Sequence, residues 1–361
     1  MRRSVVALLV LILLCGLGVA GWAGWTALEG SMDEPGANGA PVRIEVQPGM
    51  RLRAILNGLQ QRGVLRHVRF VELNLRLHRQ RPRAQAGIYE IAPHASARQI
   101  LDQLVQGRVL LESITIVEGW TVAQMRQALD AQPDIVHQLR GLSEPELMRV
   151  LGHPGESAEG RFFPDTYLFA AGSPDRKVLE LAYRRMQTLL EADWAQRAPE
   201  LPLVSPAQAL TLASIVEKES ARPDERPKVA AVFLNRLRRG MRLQADPTVI
   251  YGLGAGYDGT IHTRDLETDT PYNTYTRAGL PPTPIALPSA TSLQAVLHPA
   301  PIQALYFVAT GEGDGSHHFS DTLAEQDEAI RAYLHRLGIS PTGRAGKNGA
   351  ADAAHASGSN R

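Results

Sequence analysis

The chain has 361 residues, room for two or three domains of about 100 to 200 residues each, and its 38 lysines and arginines almost cancel its 37 aspartates and glutamates. That balance offers no global basic field, which argues against nucleic acid as a partner. The one cysteine, Cys15, excludes an intrachain disulfide framework and a cysteine-based metal site.

The chain opens "MRRSVVALLVLILLCGLGVAGWAGWTALEG", with Arg2 and Arg3 ahead of an uncharged run from Val5 to Leu28. About 24 residues suffice to cross a bilayer about 30 Å thick as a helix. A cleaved signal peptide usually has an apolar region of about 7 to 15 residues and a small-x-small cleavage site, which "GWAGW" does not supply. Leu14 is too large for the residue before a lipoprotein cysteine. Residues 1–28 therefore read as a cytoplasmic stub and a single transmembrane helix, with the arginines inside and Trp22 and Trp25 at the outer interface. The rest of the chain is then expected outside the cytoplasm.

Residues 29–41, "EGSMDEPGANGAP", read as a flexible linker. Folding resumes at Val42: Val42, Ile44 and Val46 alternate, Pro48-Gly49 turns, and Leu52, Ile55, Leu56 and Leu59 carry helical spacing as far as Gly63. A weak repeat of this pattern follows in "ESITIVEGWTVAQMRQAL", with a helix from about Thr121. Between the two copies lie a strand around Ile88 to Ile91 and a helix from about Ser96 that ends at Gly107. The unit at 42–63 resembles the carbohydrate-binding LysM module in pattern, and an ordinary small α+β domain is the alternative. Residues 42–155 are accordingly expected to form a small LysM-like α+β domain. The arginine-rich stretch 76–85, "RLHRQRPRAQ", reads as a solvated face or loop, with contact to anionic glycan or lipid headgroups as the alternative.

From about Glu159 the composition changes. "EGRFFPDTYLF" is dense in aromatics and leads into a long amphipathic helix, so a larger, mostly helical α+β domain is expected over 156–337. The tail, 338–361, has too few apolar groups to form a core and is expected to be disordered. The fold class is thus α+β in two parts behind a membrane helix.

Within the second part, Ser205, Pro206 and Gln208 signal a helix start, and Arg222 before Pro223 signals its end near Ala221. This helix carries two acids in "ASIVEKES". Glu219 lies three, four and seven residues after Val216, Ile215 and Leu212, on the large-apolar stripe. Glu217 neighbours Ala213, Ser214 and Ala221 at the stripe's edge and suits a hydrogen-bonding or solvent-facing role. A carboxyl among Leu, Ile and Val holds its proton, and a position in the last helical turn adds to the effect. Glu219 is the candidate proton donor to a glycosidic oxygen; a structural pairing with Arg222 is the plain alternative.

Further on come "ADPTVIYG", "PYNTYT", "GLPPTPI" and "GSHHFSD". With the N-terminal anchor, "EGRFFPDTY" and "ASIVEKES", they make the chain closely resemble the endolytic murein transglycosylases, the MltG or YceG-like family, over nearly its whole ordered length. The resemblance implies a single-pass inner-membrane lyase with its catalytic domain in the periplasm. It implies cleavage of the MurNAc-GlcNAc β-1,4 bond within nascent glycan strands to leave 1,6-anhydroMurNAc ends, terminating strand elongation. It places the catalytic glutamate at Glu219, the second acid of "EKE", and calls for neither cofactor nor metal. The expected partners are peptidoglycan glycan strands and the inner membrane through residues 5–28, with peptidoglycan synthases as candidates and no nucleic acid.

Supporting or substrate-binding candidates are Glu217, Asp246, Tyr272, Asn273 and Tyr275. The tyrosines offer ring faces to sugar planes, or else only pack their loop; Asp246 is a helper carboxylate or a turn residue before Pro247. His317-His318 invites a metal reading but has no third ligand at suitable spacing. Two rival functions remain: a hydrolytic muramidase working with two carboxylates, and a non-catalytic glycan-binding scaffold.

Overall fold

The computed structural model describes residues 2–339, with side chains from residue 11 onward. The tail expected from 338 lies, but for its first two residues, outside the described residues. The elements in chain order are α1 (Arg2–Asp33), β1 (Val42–Val46), α2 (Leu52–Gln61), α3 (Val68–Leu77), β2 (Gly87–Ile91), α4 (Ala97–Gln106) and β3 (Leu111–Thr115). They continue with α5 (Val122–Asp130), β4 (Ile135–Val136), α6 (Glu144–Val150), β5 (Thr166–Ala170), β6 (Ser173–Pro174), α7 (Asp175–Ala195), α8 (Pro206–Glu219) and α9 (Arg226–Arg238). The last are α10 (Asp246–Leu253), a 3-10 turn at Gly254–Gly256, α11 (Thr263–Glu267), α12 (Ala290–Leu297), β7 (Tyr306–Ala309), β8 (His317–Ser320) and α13 (Leu323–Arg336). Helices and short strands are mixed, and the chain opens on an apolar helix whose stretch Leu11–Asp33 is long and apolar enough to cross a membrane.

The chain divides into two compact units. The first holds residues 1–113 with 134–136 and 168–173; the second holds the remainder. The sequence-expected boundary at 155 differs from this, because residues 114–133 and 137–155 belong to the second unit.

In the first unit β1 and β2 pair antiparallel, Ile44 opposite Tyr89. The alternation seen in the sequence turns Ile44, Val46, Tyr89 and Ile91 onto Leu56, Leu59, Val71, Ile100 and Leu104 of the helices. Helix α4 has the expected ends: Ser96 accepts from the Gln99 amide in a capping box, and Gly107 takes the left-handed conformation, φ 65°, that closes such a helix without steric cost. Two features differ from expectation. Helix α3 occupies a stretch for which no helix is expected. The segment 29–41 is not a free linker: α1 runs on to Asp33, Leu28 and Met32 are buried, and Asn38 donates to the Ala40 and Ala92 carbonyls. Apolar Leu28 and Met32, four residues apart, give that stretch a face to bury.

The second unit is built around α8. Every residue from Ala209 to Val216 is buried, with α7, α9, α10 and α12 against the helix. Its small residues Ala209, Ala213 and Ser214 leave room for neighbours, so the expected single stripe becomes a helix apolar all round. Each fully buried Leu, Ile or Val contributes about 1.5–3 kcal/mol. Ser205 caps the start through the Gln208 amide, and the helix ends at Glu219, just ahead of the Arg222-Pro223 step. Helix α8 thus delivers both acids at the end of a deeply buried element of this unit.

Candidate active site

At its C-terminal end α8 forms one wall of a cleft of about 300 Å³. The lining includes Glu219, Phe233 and Arg236 of α9, Gln244, Asp246 and Ile250, Tyr257, Tyr275, and Phe307 and His317 of the β7–β8 hairpin.

The two acids of α8 meet opposite environments. Glu217 has a side chain only 5% exposed, paired at 2.9 Å with Arg226, itself 7% exposed. Its other oxygen accepts from the Ser289 amide at 2.9 Å and the Ser289 hydroxyl at 2.5 Å. Arg226 also donates to Ser289, Thr291 and the Ser220 carbonyl. Glu217 therefore spends its hydrogen-bonding capacity tying the end of α8 to the starts of α9 and α12.

Glu219 makes no hydrogen bond or ion pair among the described residues, and Arg222 is engaged elsewhere, with Asp224 at 2.8 Å and Asp314 at 3.0 Å. Loss of hydration pushes the Glu219 carboxyl up to about 8, the Asp246 charge pushes in the same direction, and the Arg236 charge opposes both. A carboxyl with that value is protonated at neutral pH and faces an open cleft. Arg236 is in no ion pair with it among the described residues; its guanidinium donates to the carbonyls of Leu243, at 2.6 Å, and Leu305, at 2.7 Å.

Asp246 opens α10 and accepts a hydrogen bond from the Tyr275 hydroxyl at 2.6 Å. The two candidates are thus brought together beside Glu219. Asn273 is not at the cleft: its amide nitrogen donates to the carbonyls of Asp265, Leu266 and Thr268, and its oxygen accepts from the Tyr275 amide. It shapes the loop that aims Tyr275. Tyr272 turns away, edge-on to Tyr251 at 4.8 Å and bonded to Thr283 at 2.9 Å. Loop packing accounts for both residues.

The sequence does not single out Gln244 and Arg236 of the cleft, whereas it does single out the His317-His318 pair, with its register open. Gln244 sits in the left-handed region, φ 50°, before the "ADPT" turn, a position that costs a non-glycine residue of order 1 kcal/mol. Arg236 reads as one more arginine on an amphipathic helix. His317 bonds Glu225 through Nδ1 at 2.8 Å, and its backbone amide donates to the same carboxylate at 3.2 Å. In the neutral tautomer that donates Nδ1–H to Glu225, Nε2 is the acceptor. Strand alternation leaves His318 exposed on the other face, so the doubled histidine contributes one ring to the cleft.

A second acid of the shared motifs, Glu159 of "EGRFFPDTY", lies buried outside the cleft lining. It accepts from the Val122 amide at the start of α5 and from the Tyr251 hydroxyl, each at 3.1 Å, and burial pushes it up to about 7.

Known proteins resemble this chain along most of its length. An endolytic murein transglycosylase of Bacillus subtilis is 29% identical over 314 residues, spanning 81% of this chain and 85% of its own. One from Streptococcus pneumoniae is 25% identical over 357 residues, spanning 90% of this chain and 64% of that longer protein. The crystal structure of a yceG-like protein from Listeria monocytogenes superposes with a TM-score of 0.51 at 26% identity, covering 81% of this chain and 99% of that one. The model of the YceG-like family matches residues 44–332, a stretch that contains both glutamates, the Asp246–Tyr275 pair and the His317 hairpin. The chain belongs to the YceG-like family.

Proposed function

We propose that this protein is a membrane-anchored endolytic murein transglycosylase that cuts the MurNAc-GlcNAc β-1,4 bond inside glycan strands and leaves a 1,6-anhydroMurNAc end. One observation carries the reading: Glu219, the unpaired acid of α8, is held protonated at an open cleft. The names of the relatives support it.

In this mechanism Glu219 gives its proton to the glycosidic oxygen as the bond from the muramic C1 breaks. The cation developing at the sugar ring is stabilised by the Asp246 carboxylate, which Tyr275 holds in place. The Glu219 carboxylate then takes the proton of the muramic 6-hydroxyl as that oxygen bonds C1. One bond breaks, one forms, no water is consumed and Glu219 ends protonated. His317 Nε2 and Gln244 are placed to hold sugar hydroxyls, and Phe307 and Tyr257 offer apolar faces to the ring.

Mass spectrometry of the products from purified strands tests the chemistry. Anhydro ends, lighter by one water than reducing ends, support it. Reducing ends would make the protein a muramidase with Asp246 as the second carboxylate.

The proton-donor role also fixes a pH dependence. Turnover needs protonated Glu219, so kcat/KM should be insensitive to this group below about pH 8 and fall about tenfold per unit above it. Asp246→Asn removes the charge that helps hold the proton, so this limb should move to lower pH while kcat drops. A pH–rate profile of the two proteins checks both, and an unmoved limb would remove Asp246 from the site.

The same reading places α1 across the inner membrane, with the N-terminus in the cytoplasm and the second unit in the periplasm. It assigns the β1–α2–α3–β2 order of the first unit to a LysM-like, glycan-holding role.

A further inference from the structure

We propose that the end of α3 and the arginine loop after it, residues 76–83, form a second membrane contact that rests on lipid phosphates beside the emerging α1 helix. The proposal depends on the reading that residues 5–28 span a bilayer.

The last turns of α1 are fixed to α3. His78 bonds Glu29 at 2.8 Å and its ring lies 6.0 Å from that of Trp25, Asn74 donates to the Leu28 carbonyl at 3.5 Å, and His67 lies 3.8 Å from Glu34. Later residues of α3 meet earlier residues of α1, so the two helices run antiparallel, and the C-terminal end of α3 returns toward the bilayer from which α1 emerges. Trp25, half exposed, is the kind of residue that marks the interface. His78 stands at that level, and the chain turns there through Arg79, φ 53°.

What α3 shows at this level lacks a protein partner. Leu73 and Leu77, four residues apart on its outer face, are 45% and 54% exposed. Arg76, Arg79, Arg81 and Arg83 are exposed, and none is in an ion pair among the described residues. Exposed leucine beside unpaired guanidinium groups, next to a membrane helix, matches a headgroup layer: the apolar side chain enters the acyl boundary while arginines bind phosphate. The left-handed turn at Arg79 is one that glycine adopts without strain, and an arginine there keeps a cation in the row.

The test uses the full chain with Cys15→Ser and one new cysteine carrying an environment-sensitive dye, reconstituted in vesicles of phosphatidylcholine with or without phosphatidylglycerol. Nitroxide lipids labelled at the headgroup or mid-chain serve as quenchers. Circular dichroism confirms that each labelled chain is folded. The Leu77→Cys label should lose most of its fluorescence to the headgroup quencher, and more in the phosphatidylglycerol vesicles. Arg79, Arg81 and Arg83 together changed to Glu should reverse that loss. A Leu17→Cys label should respond to the mid-chain quencher in every case, and a Gln60→Cys label to neither. If Leu17→Cys is quenched and Leu77→Cys is not, or if the charge reversal leaves Leu77→Cys quenching unchanged, the second contact is overturned while the membrane span stands. Failure of mid-chain quenching at Leu17→Cys overturns the span itself.

Discussion

Glu219→Gln should leave the fold intact and lower turnover of purified glycan strands by at least about 10² to 10⁴-fold, the range general acid–base catalysis supplies. The amide has nearly the shape of the protonated carboxyl, and Glu219 makes no hydrogen bond or ion pair among the described residues, so nothing structural is lost. What disappears is the proton. The amide can neither give one to the glycosidic oxygen nor take one from the 6-hydroxyl, and both half-steps fail together. Circular dichroism with a strand-cleavage assay checks the result. A folded Glu219→Gln protein that cuts at the native rate would move the chemistry to another acid.

Glu217→Gln should do the reverse: it should weaken the fold and spare the chemistry. Glu217 accepts from Arg226 on one side and Ser289 on the other. Glutamine has one acceptor oxygen, so whichever way the amide turns, an N–H faces a donor. Arg226 is also left buried without its counter-charge. Breaking a buried pair by removing one partner costs about 3–5 kcal/mol, which in a domain of this size lowers the unfolding midpoint by roughly 6 to 20 °C. Thermal unfolding measures that loss, and at a temperature where the mutant is folded its kcat should stay within the same order as that of the parent. A stable Glu217→Gln protein that is catalytically dead, beside an active Glu219→Gln protein, would exchange the two roles.

The difference between these acids was partly legible in the sequence. Neighbouring helix positions differ by about 100°, so residues two apart point roughly 200° apart, and Glu219 fell among large apolar residues while Glu217 fell among small ones. That spacing singled out Glu219 as the acid able to hold a proton. It also rested on a helix with one apolar stripe, whereas α8 is buried all round. Burial alone does not separate the acids. Glu217 is enclosed and satisfied; Glu219 is desolvated, without a partner, and open to the cleft.

Signals of one helical turn or one strand were readable from the chain itself: the Ser205 and Ser96 caps, the stop before Pro223, and the alternation of Val42, Ile44 and Val46. Each depends on residues within four positions of one another, where backbone geometry is set by local sterics and hydrogen bonds. Only the tertiary structure decided the rest. Ser289 reaches Glu217 from 72 residues away and Tyr275 reaches Asp246 from 29, and no periodicity encodes either meeting. "YNTY" offers two tyrosines of equal chemistry, and the three carbonyls that hold Asn273 turn one to the cleft and leave the other in the packing. Likewise Leu28 and Met32 read as the end of an anchor and the start of a linker until α3 supplies the surface that buries them. A side chain's type sets what it can do; the elements that close around it set whether its charge is paired, its proton held and its face exposed.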